Sequence, residues 1–255
     1  VTIDIITVRG TGEQLGAPNA MLRNVVRELD PEKFRYLGDC PYPATVGPVG
    51  AGPAGASEAT SIEIGLTALS AMIRATPNLV GVIGYSLGAL VVDAFMEAKA
   101  AGLFPECQVA FTACLANPAR REGDSVDSGA RGYGINGPHG DFPAGHIHLE
   151  YANPNDVITS CAAGSPLRGI ADGMSAFSFA EIGGWSQDLV DRLRRRRFQP
   201  ITWDWWRHPA ETWRIYDEAA RQVVGYLSGQ DHIRTYIEGM YCHRMAEAIN
   251  ELRLE

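Results

Sequence analysis

The chain has 255 residues, 45% hydrophobic and 20% charged, enough to bury the core of one large domain. No apolar run approaches the roughly 18 residues that a membrane span requires. The formal net charge of −8 repels polyphosphate, so nucleic acid is excluded as the expected partner.

Ile3 to Val8 reads as a first strand, with no basic region before it, so the amino end does not read as a secretory signal. It runs into the glycine-rich turn Arg9-Gly10-Thr11-Gly12-Glu13. Pro18-Asn19 then opens a helix whose apolar face is Met21, Leu22, Val25, Val26 and Leu29. Phe34 to Leu37 is a second strand, and Tyr42 to Gly55 a proline- and glycine-rich loop. Ser57 or Thr60 caps the next helix, the latter with Glu63 as a capping box. Leu79 to Ile83 is a buried strand and Ala89 to Met96 a buried helix. Gln108 to Ala113 is the next strand, Ala119 to Gly145 a long polar loop, and His146 to Tyr151 the last strand. Helical signals fill 165–227, a block too long for a simple crossover and therefore read as an inserted helical subdomain of a single domain spanning 1–255. That block holds Trp203, Trp205, Trp206 and Trp213, and the basic run Arg192, Arg194, Arg195, Arg196 and Arg197. The run suits a solvated helix end or, alternatively, an anionic envelope surface. A final amphipathic helix carries Met245, Ala246, Ile249 and Leu252. Strands alternating with helices predict an α/β fold, a mostly parallel sheet covered on both faces.

Between the central strand and its helix lies Gly84-Tyr85-Ser86-Leu87-Gly88. A G-x-S-x-G in that position is a strand-to-helix turn that exposes a serine hydroxyl above the sheet, at the positive end of the helix. A serine needs a base, and the base an orienting carboxylate. Asp156 follows the last strand on a turn stiffened by Pro154 and is preferred over Asp141 and Asp172. Among the later histidines, His232 lies on a predicted loop ahead of the last helix and is preferred over His243, inside that helix, and His208. The oxyanion donors expected are the Leu87 N–H and Thr11, by its N–H and hydroxyl. His146 and His148 share one strand face with His139 and Asp141 upstream, but no third ligand stands in a regular element, so no metal is expected. No cofactor is expected either. The five cysteines form no C-x-x-C, and Cys107 and Cys114 read as core hydrophobes.

These motifs resemble those of the cutinase-like serine esterases of the α/β-hydrolase fold, and more closely the mycobacteriophage lysin B enzymes. Arg9 to Glu13 is similar to the cutinase turn that lends an oxyanion hydroxyl. Tyr42-Pro43-Ala44 and the Ser86 motif also fit, with Leu87 where glutamine is usual. Asn117-Pro118-Ala119-Arg120, Gly132-Tyr133-Gly134-Ile135, Asn155-Asp156 and Ser165-Pro166-Leu167-Arg168 look like lysin B, as does a helical insertion before the histidine. Cutinases also flank the aspartate with a cysteine pair, whereas here Cys161 alone is close. The resemblance implies hydrolysis of the ester joining mycolic acids to arabinogalactan. It further implies a monomer made in the host cytoplasm without a signal peptide, acting at the host envelope once lysis begins, in peripheral contact with the mycobacterial outer membrane. The tryptophan-bearing insertion would then wall the acyl chain. A general lipid esterase of the same mechanism, and a non-catalytic envelope-binding protein, are the alternatives.

Overall fold

The computed structural model describes residues 2–47, 55–171 and 209–254. Five strands form one sheet in the order β2-β1-β3-β4-β5: β1 (Ile3–Val8), β2 (Phe34–Asp39), β3 (Val80–Tyr85), β4 (Val109–Leu115) and β5 (Ile147–Tyr151). All four pairings are parallel. Every residue of β1 and β3 is buried, the pattern of central strands covered on both faces.

The helices in chain order are α1 (Arg23–Val26), α2 (Glu58–Arg74), α3 (Leu87–Ala100), α4 (Pro166–Ala171), α5 (Pro209–Leu227), α6 (Thr235–Glu238) and α7 (Tyr241–Glu251). Side-chain alternation in β1 divides the core in two. Ile6 and Val8 join Leu69, Ile73, Val91, Phe95 and the buried face of α5 (Tyr216, Ala219, Ala220, Val223). Ile3 and Ile5 join Val25, Phe34, Met245 and Ile249 on the other side.

Two local expectations are corrected and one open alternative is decided. The 18–29 segment is α-helical only over Arg23–Val26. Its apolar residues are buried as the pattern requires, but many of its backbone bonds run i→i+3, such as Arg23 N–H to Ala20 and Asn24 N–H to Met21. The Glu13 carboxylate takes the Met21 N–H at 2.7 Å and fixes where the segment starts. Ser57, not Thr60, caps α2 by accepting the Thr60 N–H at 3.2 Å. His232 lies in a π-helical turn, Gln230–Arg234, rather than an open loop. Residues 172–208 lie outside the described residues, and with them His208, Asp172, the arginine run, Trp203, Trp205, Trp206 and most of the expected insertion.

All five cysteines are free and buried. Burial pushes the Cys40 and Cys242 thiols up to about 12, so they pack as small hydrophobes.

Candidate active site

Ser86 occupies the sharp turn between β3 and α3 with φ 53° and ψ −118°, a backbone conformation costing about 1–3 kcal/mol for a residue with a side chain. The turn is held because the Ser86 N–H donates to the Leu115 carbonyl of β4 at 3.0 Å. Both flanking glycines are needed. A Cβ on Gly84 would sit 2.9 Å from the Ala89 Cα, and one on Gly88 would sit 1.9 Å from the Val8 carbonyl oxygen.

The Ser86 hydroxyl lies 2.9 Å from His232 Nε2, and His232 Nδ1 lies 2.8 Å from Asp156 Oδ2. Asp156 is fully buried, and Ser86 and His232 are nearly so. With Nδ1–H donated to the carboxylate, Nε2 is left as the acceptor for the serine proton. The three residues, 70 and 76 positions apart in sequence by turns, meet above the carboxyl ends of β3 and β5.

His243 stands elsewhere, on the surface of α7, where its two ring nitrogens face Glu28 and Glu247. Asp141 is exposed and paired with Arg121 at 2.7 Å. Neither joins Ser86. His146 is taken up by Thr112, its Nε2 2.9 Å from the hydroxyl.

Thr11 lies in the turn beside Ser86: a Cβ on neighbouring Gly10 would be 2.5 Å from the Tyr85 ring and 3.4 Å from the Ser86 Cβ. Its hydroxyl oxygen is buried and without a partner, which leaves that O–H free to donate. Leu87 opens α3, so its N–H has no intrahelical acceptor, and its buried side chain packs in the core instead of bracing the turn. The turn itself is braced by Arg9, whose guanidinium donates to the Glu13 carbonyl at 2.7 Å, the Cys40 carbonyl at 2.9 Å and the Tyr42 carbonyl. Glu13 Oε2 in return accepts the Gly10 N–H at 2.8 Å.

Sequence reasoning missed a ring of tyrosines. Tyr236 donates to Asp156 Oδ2 at 2.9 Å while its oxygen accepts the Asn153 N–H at 3.0 Å. Tyr85 donates to the His232 carbonyl at 2.8 Å and stacks on its imidazole, the ring centres 5.6 Å apart. Tyr226 places its ring 5.4 Å from the same imidazole. Burial, and for Tyr236 the Asp156 charge next, holds the Tyr85 and Tyr236 hydroxyls well above their usual range, so they remain donors. Tyr85 sits inside the G-x-S-x-G motif and Tyr226 lies six residues before His232, but nothing local to Tyr236 signals a partner 80 residues away.

Two arginines fasten the long loop to the Asp156 segment. Arg120 is fully buried and donates to the Thr159 carbonyl at 2.9 Å and the Gly132 carbonyl at 2.8 Å. Arg168 donates to the carbonyls of Tyr133, Gly134 and Ala162 and lies 3.4 Å over the Tyr133 ring. The motifs around Arg120, Tyr133 and Arg168 are therefore one backbone clamp.

The topology and the serine turn are those of an α/β-hydrolase core. The PE-PPE domain family matches residues 39–157, a span that contains Ser86 and Asp156 and stops before His232. No curated protein sequence matches the chain. Among solved structures, the chain is similar to an acetylxylan esterase, 18% identical over 64% of this chain and 86% of that one, with a TM-score of 0.49. A cutinase-like protein from Cryptococcus sp. is 19% identical over 62% of this chain and 79% of its own, also at 0.49. Lysin B of Mycobacteriophage D29 is 16% identical and covers 98% of this chain and 100% of its own, at 0.48.

Proposed function

We propose that the chain is a serine ester hydrolase acting on the ester that joins mycolic acids to arabinogalactan. The observation that carries the hydrolase reading is the unbroken relay from Ser86 to His232 to Asp156, two hydrogen bonds of 2.9 and 2.8 Å. Ser86 attacks the carbonyl carbon as His232 Nε2 takes its proton. Asp156 holds the Nδ1–H tautomer and offsets the imidazolium charge, while the Tyr236 hydroxyl and the Ile158 N–H hold the carboxylate in place. The Leu87 N–H and Thr11 donate to the oxyanion. Collapse of the tetrahedral intermediate returns the proton to the leaving sugar oxygen, and water, activated by the same imidazole, releases the acyl group from Ser86.

Exposed apolar side chains that flank His232 and Tyr226 in sequence support a lipid ester. Ile233 and Ile237, one helical turn apart beside His232, are 49% and 45% exposed, and Met240 is 50% exposed. Val224 and Leu227 of α5 expose apolar surface next to Tyr226. The motif resemblance to lysin B supplies the mycolyl ester as the particular substrate. The test is release of mycolic acids from mycobacterial cell-wall material, measured by chromatography. Release by the wild type and none by Ser86→Ala supports this substrate. Hydrolysis of small esters with no mycolate release leaves a general lipid esterase.

A further inference from the structure

A second polar cluster lies away from Ser86, where α3, β5 and the 119–145 loop meet. Asp93 on α3 and Glu150 on β5 are two buried carboxylates bridged by one amide: Asn117 Nδ2 donates to Asp93 Oδ1 at 3.2 Å and to Glu150 Oε1 at 2.7 Å. His148 Nε2 adds a second donor to Glu150 Oε1 at 3.0 Å, and its Nδ1 faces the Thr112 hydroxyl at 2.7 Å. In His139, Nδ1–H meets the Gly140 carbonyl at 2.8 Å, and the ring stacks on Phe142 with centres 4.3 Å apart. That bond requires a proton on Nδ1, and in the neutral ring it leaves a bare lone pair on Nε2.

Each of the three residues is thus left with one buried atom that has no partner: Asp93 Oδ2, Glu150 Oε2 and His139 Nε2. All three are acceptors. Ligand atoms of these residues lie within 4.8 Å of one another. Among the described residues none donates a hydrogen bond to them, and buried acceptors without donors are costly. One proton shared by the carboxylates leaves the neutral imidazole bare, and one placed on the imidazole leaves the carboxylates sharing a single donor. A divalent cation satisfies all three.

We propose that Asp93, His139 and Glu150 bind a divalent transition-metal ion, zinc by the character of the donor set, which fastens the 119–145 loop to α3 and β5. One imidazole and two carboxylates form a borderline set that suits zinc better than the oxygen-seeking calcium or magnesium. Tetrahedral ligands about 2.1 Å from zinc stand about 3.4 Å apart, so small side-chain movements close the site. Asp124 Oδ2, 3.6 Å from His139 Nε2, is within reach as a fourth ligand. Asn117, His148 and the Gly140 carbonyl already orient the ligands from behind. The strand histidines drew attention in the sequence, but the ligands come instead from α3, the end of β5 and the loop, which the fold alone brings together.

The test does not depend on esterase activity. Protein without a polyhistidine tag is loaded with zinc, freed of excess by gel filtration, and assayed by plasma mass spectrometry. The wild type is expected to retain about one zinc per chain and to lose thermal stability on chelation. Asp93→Asn and His139→Gln are expected to retain about tenfold less zinc, whereas His243→Gln, at the surface pair with Glu28 and Glu247, keeps it. Folded wild-type protein that retains less than about a tenth of an equivalent of zinc, manganese, cobalt and nickel in turn overturns the proposal. So does a His139→Gln protein that keeps full zinc. If neither ligand variant folds, the wild-type stoichiometry and the chelator-dependent melting shift decide.

Discussion

Gly88→Ala tests whether the catalytic geometry depends on the close approach of α3 to the end of β1. The added Cβ would stand 1.9 Å from the Val8 carbonyl oxygen, 2.5 Å from the Val8 carbonyl carbon and 2.6 Å from the Arg9 carbonyl oxygen, all backbone atoms. Ordinary contact begins at 3.4 Å, so the first turn of α3 must move by about 1.5 Å, and a misplacement near 1 Å costs on the order of a hundredfold in rate. The movement separates the Leu87 N–H, on α3, from Thr11, on the turn that continues β1, and so opens the proposed oxyanion hole. Overpacking also costs about 1–3 kcal/mol of stability. The assay is kcat/KM for p-nitrophenyl butyrate on protein shown to be folded by circular dichroism. Gly65→Ala is the control, because its Cβ would meet only side chains, Val91 at 2.7 Å and Tyr42 at 3.3 Å, and burden the core without meeting the backbone of the turn. The expected result is a loss of at least about a hundredfold for Gly88→Ala and less than about threefold for Gly65→Ala. Gly88→Ala within about threefold of wild type would refute the reasoning.

Tyr236→Phe removes a donor from Asp156 and orphans the buried Asn153 N–H, so it is expected to cost about 1–3 kcal/mol in urea unfolding. It should also lower kcat about tenfold or more with KM unchanged, since Tyr236 positions the relay without touching substrate; a raised KM with normal kcat would contradict that role. Asp4, buried at the far end of β1, is held below the ordinary carboxylate value of 3.8 chiefly by its hydrogen bonds from Arg35. Its contribution to stability is present above that value and is lost as pH falls through the depressed one. Melting curves should therefore show Asp4→Asn below wild type at neutral pH and the gap narrowing below about pH 3.8; a gap independent of pH would contradict the linkage.

The succession of strands along the chain, the serine turn and the hydrogen-bonded set of Ser86, His232 and Asp156 were legible in the sequence. Val80 to Tyr85 is apolar throughout, and Gly84 and Gly88 mark a turn that no other residue fits. Asp156 and His232 could be singled out by chain order and by the turns around them. What stayed hidden depends on contacts between distant segments. The backbone of 18–29 is shaped by the Glu13 carboxylate, not by its own apolar period. His232 lies in a helical turn with the Tyr85 and Tyr226 rings against its imidazole, contacts that its own neighbours do not signal. Arg120, an arginine in a glycine-rich polar stretch, gave no sign that it would be fully buried among main-chain carbonyls.

Hydrolysis of p-nitrophenyl butyrate by the wild type and by Ser86→Ala, matched by circular dichroism, tests the central claim most directly. The account predicts an active wild type and a loss of about a thousandfold or more in the variant, the remaining rate coming from the oxyanion donors and substrate binding. An inactive wild type on every acyl length, or a variant equal to it, would contradict serine chemistry at this turn.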